Sequence, residues 1–256
     1  MAARRPLYQR IADELRSEIT AGALHPGGKL PSEGEIAAKW ETTRSTAVAG
    51  LRVLVHEGLI VADRPRGYFV RRWEPMIYRP QREFRKPEPN LDIFRQRVAE
   101  EGDGREASQA IEVAIVAPPP QIRTRLATKD GDLVAVRRRT RTIGDEAYNI
   151  QDSYVPLSIV QGTEWMTPED VARGTNKVLS ELGYEIVQIL DEISVRMPTP
   201  DEVDRLGLGP GTPVAEHLAT GHTAKGDPVQ VSRNVLPGDR HVIIYERTRR
   251  AEEDPK

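Results

Sequence analysis

The sequence predicts an α+β chain in two parts: a small N-terminal head of three helices closed by a hairpin, and a larger C-terminal domain built on a mainly antiparallel sheet. Three observations predict it. Apolar residues recur at helical spacing, punctuated by capping residues, as far as Gly58. Short β-type runs flank tight glycine turns from Leu59 to Arg72. After a proline-rich stretch, long alternating runs begin at Ala110, Leu133, Ala147, Tyr184, Val214 and Pro228.

The first helix is expected over Leu7–Ala21, because Ile11, Ala12, Leu15 and Ile19 share a face that Arg10, Asp13, Glu14 and Arg16 avoid. Gly22 stops it, and Pro26-Gly27-Gly28 is a turn cluster. Ser32 with Glu35 three residues on reads as a capping box, opening a short helix from Glu33 to Trp40. Thr42 or Thr43 caps a third helix, which buries Ala47, Leu51, Leu54 and Val55 and ends at Gly58. Leu59–Asp63 and Tyr68–Arg72 then form a hairpin around Arg64-Pro65-Arg66-Gly67. Three helices and a hairpin make a winged helix-turn-helix, with a domain boundary expected at residue 73.

Residues 74–90 are expected as a linker, interrupted by Pro75, Pro80, Pro87 and Pro89, with a short strand near Glu83–Arg85. The second domain is expected over 91–247. It starts with a helix over Leu91–Glu101, then a strand over Ala110–Val116 and a helix opened by Pro118-Pro119-Pro120. Leu133–Ile143 and Ala147–Val155 read as paired strands around Gly144-Asp145. One or two helices are expected within Pro168–Gly183, a strand over Tyr184–Arg196 and a helix over Pro200–Leu206. Val214–Thr223 and Pro228–Val235 close the domain as a hairpin, and residues 248–256 form a charged tail.

Composition narrows the function classes. No stretch of the 256 residues approaches the ~20 apolar positions that a membrane-spanning helix needs. The basic start, Met1 to Pro6, has no apolar segment behind it, so no secretory signal is expected and the location is expected to be cytoplasmic. There is no cysteine, and His25, His56, His217, His222 and His241 show no metal spacing, so neither metal nor cofactor is expected. Residues 1–80 hold 13 Lys+Arg against 9 Asp+Glu, while residues 81–256 hold 24 against 30. A basic front and acidic back suit a nucleic-acid module joined to one that avoids phosphate.

A helix-turn-helix sets the start of its second helix in the major groove. Here that start is Thr43-Arg44-Ser45-Thr46. Arg44 suits a bidentate contact to guanine or a phosphate, and the hydroxyls of Ser32, Thr43, Ser45 and Thr46 suit phosphate oxygens. Arg64 and Arg66, beside the permissive Gly67, suit the minor groove, and Arg4 and Arg5 add possible phosphate contacts. The same arginines could simply decorate helix ends and a turn.

Leu7 to Val70 closely resembles the winged helix-turn-helix of the GntR family of bacterial transcription regulators. The carrying residues are Leu30-Pro31-Ser32-Glu33-Gly34-Glu35-Ile36-Ala37, Thr43-Arg44-Ser45-Thr46, Glu57-Gly58-Leu59-Ile60 and Gly67-Tyr68-Phe69-Val70. The resemblance implies a homodimer on a pseudo-palindromic double-stranded operator, usually as a repressor. The family pattern has arginine where this chain has Gly34 and Val48, and only Arg44 keeps its place.

Residues 83–247 more loosely resemble the effector-binding UTRA domain of the HutC-type branch, similar in fold to chorismate lyase. The resemblance rests on Arg139-Thr140-Arg141, Asp152 to Pro156, Gly174-Thr175, and Pro228 to Arg233. Alternation puts Arg137, Arg139 and Arg141 on one strand face, where they either meet solvent or hold an anion. By the resemblance, Arg139, Arg141 and Thr175 match the positions that hold an effector's acid group. Gln151, Gln230 and Leu236 stand where relatives that bind amino-sugar phosphates use carboxylates and a tyrosine, so such a ligand is not expected. Tyr154 is placed in the same site, and the other aromatic residues are read as core. Two other readings stay open: a lyase, for which no paired carboxylates or nucleophile motif are found, and a DNA-tethered protein without ligand, such as a regulator of plasmid transfer. Loss of two family arginines predicts a shifted operator. In an electrophoretic shift assay the chain is expected to hold its own promoter more tightly than a consensus family operator.

Overall fold

Helix caps and a close helix crossing build the head. The structure, a computed structural model, describes residues 5–63, 65–72, 76–81, 94, 98 and 106–247. It divides into two compact units, Met1–Pro75 with Leu208–Pro213 and Met76–Gly207 with Val214–Lys256.

In the first unit, α1 (Leu7–Thr20) buries Ile11, Ala12 and Leu15. The capping box expected at α2 (Glu33–Lys39) is present: the Glu35 N–H donates to Ser32 Oγ at 3.3 Å, and the Ser32 N–H donates to Glu35 Oε2 at 2.7 Å. Thr43 caps α3 (Arg44–His56) by accepting from the Thr46 N–H at 3.3 Å. Such a cap contributes about 1 kcal/mol. A Cβ at Gly50 would stand 3.0 Å from both Ile11 Cγ2 and the Tyr8 carbonyl, so the bare backbone lets α1 and α3 pack closely. Ile11, Leu51, Leu54 and Ile60 form the centre of this core. The hairpin β1 (Ile60–Asp63) and β2 (Gly67–Val70) pairs from Ile60↔Val70 to Asp63↔Gly67. A third segment joins it, with Lys29 bridging Phe69 and the Leu30 N–H donating to the Tyr68 carbonyl at 2.8 Å.

In the second unit, β4 (Ala107–Val116), β5 (Val134–Ile143), β6 (Glu146–Pro156), β7 (Gln188–Arg196), β8 (Val214–His222) and β9 (Pro228–Pro237) form one antiparallel sheet in the order β4-β5-β6-β9-β8-β7. On one face, α4 (Pro120–Leu126) sets Ile122 and Leu126 against Val134, Val136 and Tyr154. On the other, the short α5 (Leu157–Val160), a 3-10 turn at Glu164–Met166 and α6 (Thr175–Glu181) pack Val160, Trp165 and Leu179 onto Ala135 and Val155. The helix α7 (Pro200–Leu206) lies along β6 on the α4 side.

Several expectations need correction. Met76–Tyr78, inside the expected linker, is a strand, β3, that pairs in parallel with β10 (His241–Ile243). Within Pro168–Gly183, where one or two helices are expected, there is one, α6, and the expectation stands. The strand expected from Tyr184 starts at Gln188, and Tyr184 and Tyr245 are exposed rather than core. Phe94 and Val98 are helical and buried, as expected of Leu91–Glu101. The rest of that segment, the strand near Glu83–Arg85 and the tail after Arg247 lie outside the described residues.

A buried ion network anchors α7 to the sheet. Arg196 and Arg233 both donate to Glu202, at 2.7 and 2.6 Å, and both donate to Glu216, at 2.9 and 2.7 Å. Glu202 also completes the α7 capping box with the Thr199 N–H at 2.9 Å. Burial pushes the Glu202 carboxyl up, but the Arg196, Thr199 and Arg233 hydrogen bonds outweigh it and hold the group at about 2. A lowered carboxyl stabilises the fold fully above its ordinary value of 4.5, and that contribution is lost as pH falls through about 2. Removing one member of such a network costs about 3–5 kcal/mol. Glu202→Gln is therefore expected to lower stability by that order at neutral pH and to flatten the acid limb, read by urea denaturation across that pH range.

Candidate DNA interface and effector cleft

Three of the hydroxyl residues expected to read DNA cluster with Arg44 at the start of α3. The Thr43 hydroxyl lies 2.8 Å from Ser45 Oγ and 3.0 Å from Thr46 Oγ1, so the three form one polar rim. Arg44 is exposed, and its Nε donates to Glu33 Oε2 at 2.6 Å. An exposed pair of this kind is worth about 0–1 kcal/mol, so a phosphate or guanine can displace Glu33. Ser32 is committed to its capping box, which leaves its hydroxyl on Glu35 Oε2 at 2.7 Å. At Gly34 an added Cβ would meet nothing within 4 Å, so packing does not demand glycine there.

On the wing, Arg66 pairs with Asp63 at 3.0 Å and lies over the Phe69 ring at 5.3 Å. Gly67 holds a φ of +117°, a conformation that other residues rarely adopt. Arg5 pairs with Asp13 on α1 at 2.9 Å. Arg4 and Arg64 lie outside the described residues. Sequence reasoning missed Lys29, whose Cε would stand 3.3 Å from a Cβ on Gly67. It is an exposed cation at the root of the wing, and only the bridge to Phe69 reveals it.

The second unit gathers five of the six expected effector residues in one cleft of about 170 Å³: Arg139, Arg141, Gln151, Thr175 and Gln230. Register explains the meeting. Arg139 stands opposite Gln151, and Ser153 opposite Ser232, so β5, β6 and β9 present these side chains to one face. Arg139 Nη1 donates to Ser153 Oγ at 3.4 Å, and Arg141 Nε donates to Gln109 Oε1 at 3.5 Å. Both bonds are long, and the Arg141 guanidinium lies 5.2 Å from the Phe94 ring. The Gln230 amide donates to Asn176 Oδ1 at 3.3 Å and Ser232 Oγ at 3.2 Å, while its Oε1 is buried with no partner among the described residues. Ser153, Asn176, Asp170 and Phe94 also line the cleft and were missed, because neither spacing nor resemblance marks them.

Tyr154 is not in this cleft. Three residues separate it from Gln151, so the two side chains leave opposite faces of β6, and Tyr154 packs with Val136 and Ile122. Leu236 is fully buried and lies outside the lining. Arg137 shares the face of Arg139 but holds no ligand position. It is fully buried and donates to the carbonyls of Trp165, Thr167 and Glu169, at 3.1 Å for the first and 2.8 Å for the last. Burial pulls its pKa down despite Asp170 and Glu169 nearby. It clamps the loop that delivers Thr175. Among the described residues no group of histidines and carboxylates could hold a metal ion, and no helix is long and apolar enough to cross a membrane.

Comparison with known proteins places both halves. A model of the UTRA domain matches residues 103–242, and a model of bacterial regulatory proteins of the gntR family matches residues 7–70. The chain is 29% identical to an HTH-type transcriptional regulator of Streptomyces coelicolor over 253 residues, covering 96% of this chain and 94% of that one. It is 24% identical to the HTH-type transcriptional repressor NagR of Bacillus subtilis, covering 94% of each. A crystal structure of a GntR-family transcriptional regulator superposes with a TM-score of 0.67 at 24% identity, over 96% of this chain and 99% of that one. The structure of PhnF from Mycobacterium smegmatis gives 0.54 at 18% identity, over 94% of this chain and 100% of that one. With a capped reading helix and wing in front and a polar cleft on an antiparallel sheet behind, the chain belongs to the GntR family of bacterial transcriptional regulators, in the branch that carries a UTRA domain.

Proposed function

We propose that this regulator is a repressor that binds its operator as a homodimer and is released by a small anionic effector. The observation that carries the reading is the cleft itself: Arg139 and Arg141 open onto it beside Thr175 and the amides of Gln151, Gln230 and Asn176. Guanidinia that line a cleft beside neutral hydroxyls and amides favour a carboxylate or phosphate, and the amides suit a neutral polar remainder. A region filled by side chains would have supported the ligand-free alternative, and a cleft of about 170 Å³ favours a ligand instead. The lyase alternative gains nothing from relatives that are regulators.

Thr43, Arg44, Ser45 and Thr46 are the base- and phosphate-reading group in this proposal, with Arg66, Gly67 and Lys29 on the wing. The signal has a physical route inside the second unit. Phe94 lies between Arg141 and Tyr148, whose ring it meets at 4.9 Å. The Tyr148 hydroxyl donates to the Ile77 carbonyl of β3 at 3.0 Å. A ligand that displaces Phe94 pulls on the strand that follows the head in the chain.

The homodimer is proposed at β7. This strand ends the sheet, and Leu190, Ile193 and Val195 on it are 56%, 42% and 72% exposed. An open apolar edge invites strand addition unless it is covered. Antiparallel pairing with a second copy about Ser194 sets Arg196 opposite Glu192 and Val195 opposite Ile193, a self-complementary register.

Two outcomes are expected. Inorganic phosphate raises the melting temperature of the wild type, whereas the Arg139→Ala/Arg141→Ala variant responds with at least about 100-fold weaker affinity, since each of the two lost charge-assisted bonds contributes about 1.5–3 kcal/mol. That variant retains operator binding in fluorescence anisotropy. Val195→Lys shifts the chain from dimer to monomer in light scattering, without loss of helix signal.

A further inference from the structure

The sheet carries a second cavity, of about 560 Å³, on the face opposite the effector cleft. Its floor is Ile150, Asp152 and Tyr154 of β6, with Arg138 and Thr140 of β5 and Arg233 of β9 beside them. Asp201, Glu202 and Arg205 of α7 lie over it. Because β6 alternates, Gln151 and Ser153 serve one cavity while Asp152 and Tyr154 serve the other, back to back across one sheet. The volume falls in the ordinary range for small-molecule sites, about 300–1,000 Å³.

Asp152 is an under-satisfied group in this cavity. It is 6% exposed, yet among the described residues its Oδ1 has no hydrogen-bond partner, and its Oδ2 accepts from Arg233 Nη1 at 3.4 Å. An orphaned buried acceptor costs about 1–3 kcal/mol, and more when charged. Burial pushes its carboxyl above the usual range, although Arg233, Arg205 and Arg138 oppose the rise.

The cations around it are committed elsewhere. Arg138 donates to Glu112 at 3.0 Å. Arg205 donates to Thr140 Oγ1 at 2.7 Å and to Asp201 at 3.4 Å. Arg233 is taken by Glu202 and Glu216, at 2.6 and 2.7 Å. The cavity therefore has an unmet acceptor at its floor, and each guanidinium that lines it already faces a carboxylate. Glu112, Asp152, Asp201 and Glu202 outnumber Arg138, Arg205 and Arg233 in the lining, and this excess of carboxylate disfavours an anion and suits a neutral donor.

We propose that this cavity is a second ligand site, which takes a neutral polyol whose hydroxyl donates to the Asp152 carboxylate. The polyol's remaining hydroxyls meet Thr140 and the outer carboxylates of Glu112 and Asp201, while Ile150 and Ala110 supply an apolar wall. The two faces of one sheet then sort ligands by charge: an anion against Arg139 and Arg141, a neutral molecule against Asp152.

The test is calorimetric titration of the full chain with myo-inositol, D-glucose and glycerol, with inorganic phosphate as the contrasting probe. At least one polyol is expected to bind at one site per chain at millimolar concentration. Binding should weaken about 10-fold, some 1.4 kcal/mol, in Asp152→Leu. It should weaken likewise in Ala110→Phe, which fills the cavity from an exposed position on β4 and leaves Asp152 in place. Polyol binding should persist in Arg139→Ala/Arg141→Ala, which loses phosphate. If no polyol binds the wild type, if Ala110→Phe binds as well as wild type, or if the arginine variant loses the polyol, the proposal is overturned.

Discussion

Everything in the second unit depends on the alternation of side chains along β5. One strand carries Arg137, Arg138, Arg139 and Arg141, and the pleat sends them to different surroundings. Arg138 goes to the α7 side with Thr140, while the other three go to the side of α6. A shift of the pairing by one residue would bury the wrong guanidinia on both faces. Arg137 shows how firmly the register is held. It is a fully buried cation whose hydrogen bonds, among the described residues, go to carbonyls, with the Trp165 ring 5.9 Å away. Those carbonyls lie in the loop ahead of α6, in the 3-10 turn at Glu164–Met166 and the bends after it. The guanidinium thus does for that loop what a ladder of backbone bonds does for a strand.

The features legible in the sequence are the ones that local chemistry decides. Ser32 with Glu35, Thr43 before Arg44 and Pro200 to Leu206 were readable because a cap or a helix opening is settled within a few residues. Arg139, Arg141, Gln151, Thr175 and Gln230 were legible as a set only through resemblance, since their meeting depends on three strands and a helix far apart in the chain. What escaped was either a matter of parity or of long range. Tyr154 was misplaced by an odd count along β6. Arg137 looked like its neighbours because nothing local announces carbonyls some thirty residues away. The pairing of β3 with β10 joins segments more than 160 positions apart, and a three-residue strand leaves little pattern to read.

The chain holds two kinds of arginine. Arg44 and Arg66 sit in exposed pairs that water and salt already weaken, and such pairs can be exchanged for phosphate at little cost. Arg196 and Arg233 sit in a buried network with Glu202 and Glu216, where exchange would strand a charge in a dry interior. The first kind is available for recognition and the second fixes shape. Arg139 and Arg141 stand between them, the first buried and the second half-buried, both lining a cleft with long bonds to Ser153 and Gln109. That intermediate state suits a group that must trade partners when a ligand arrives.

The parallel pair β3 and β10 makes the chain close on itself. Tyr78, at the end of β3, donates to or accepts from His217 Nδ1 at 2.9 Å, and His217 Nε2 reaches Asp191 at 2.7 Å. The segment that follows the head in the chain is thereby buttoned to β10 as well as to β8 and β7. Until residues 241–243 have emerged and folded, that clasp has no second half. During synthesis, then, the helices of the first unit can fold early from their own local contacts, but β3 must wait for residues 241–243 to find its partner. A chain cut short before His241 would leave β3 with no strand to pair with, and the Tyr78 and Tyr148 hydrogen bonds around it without that support.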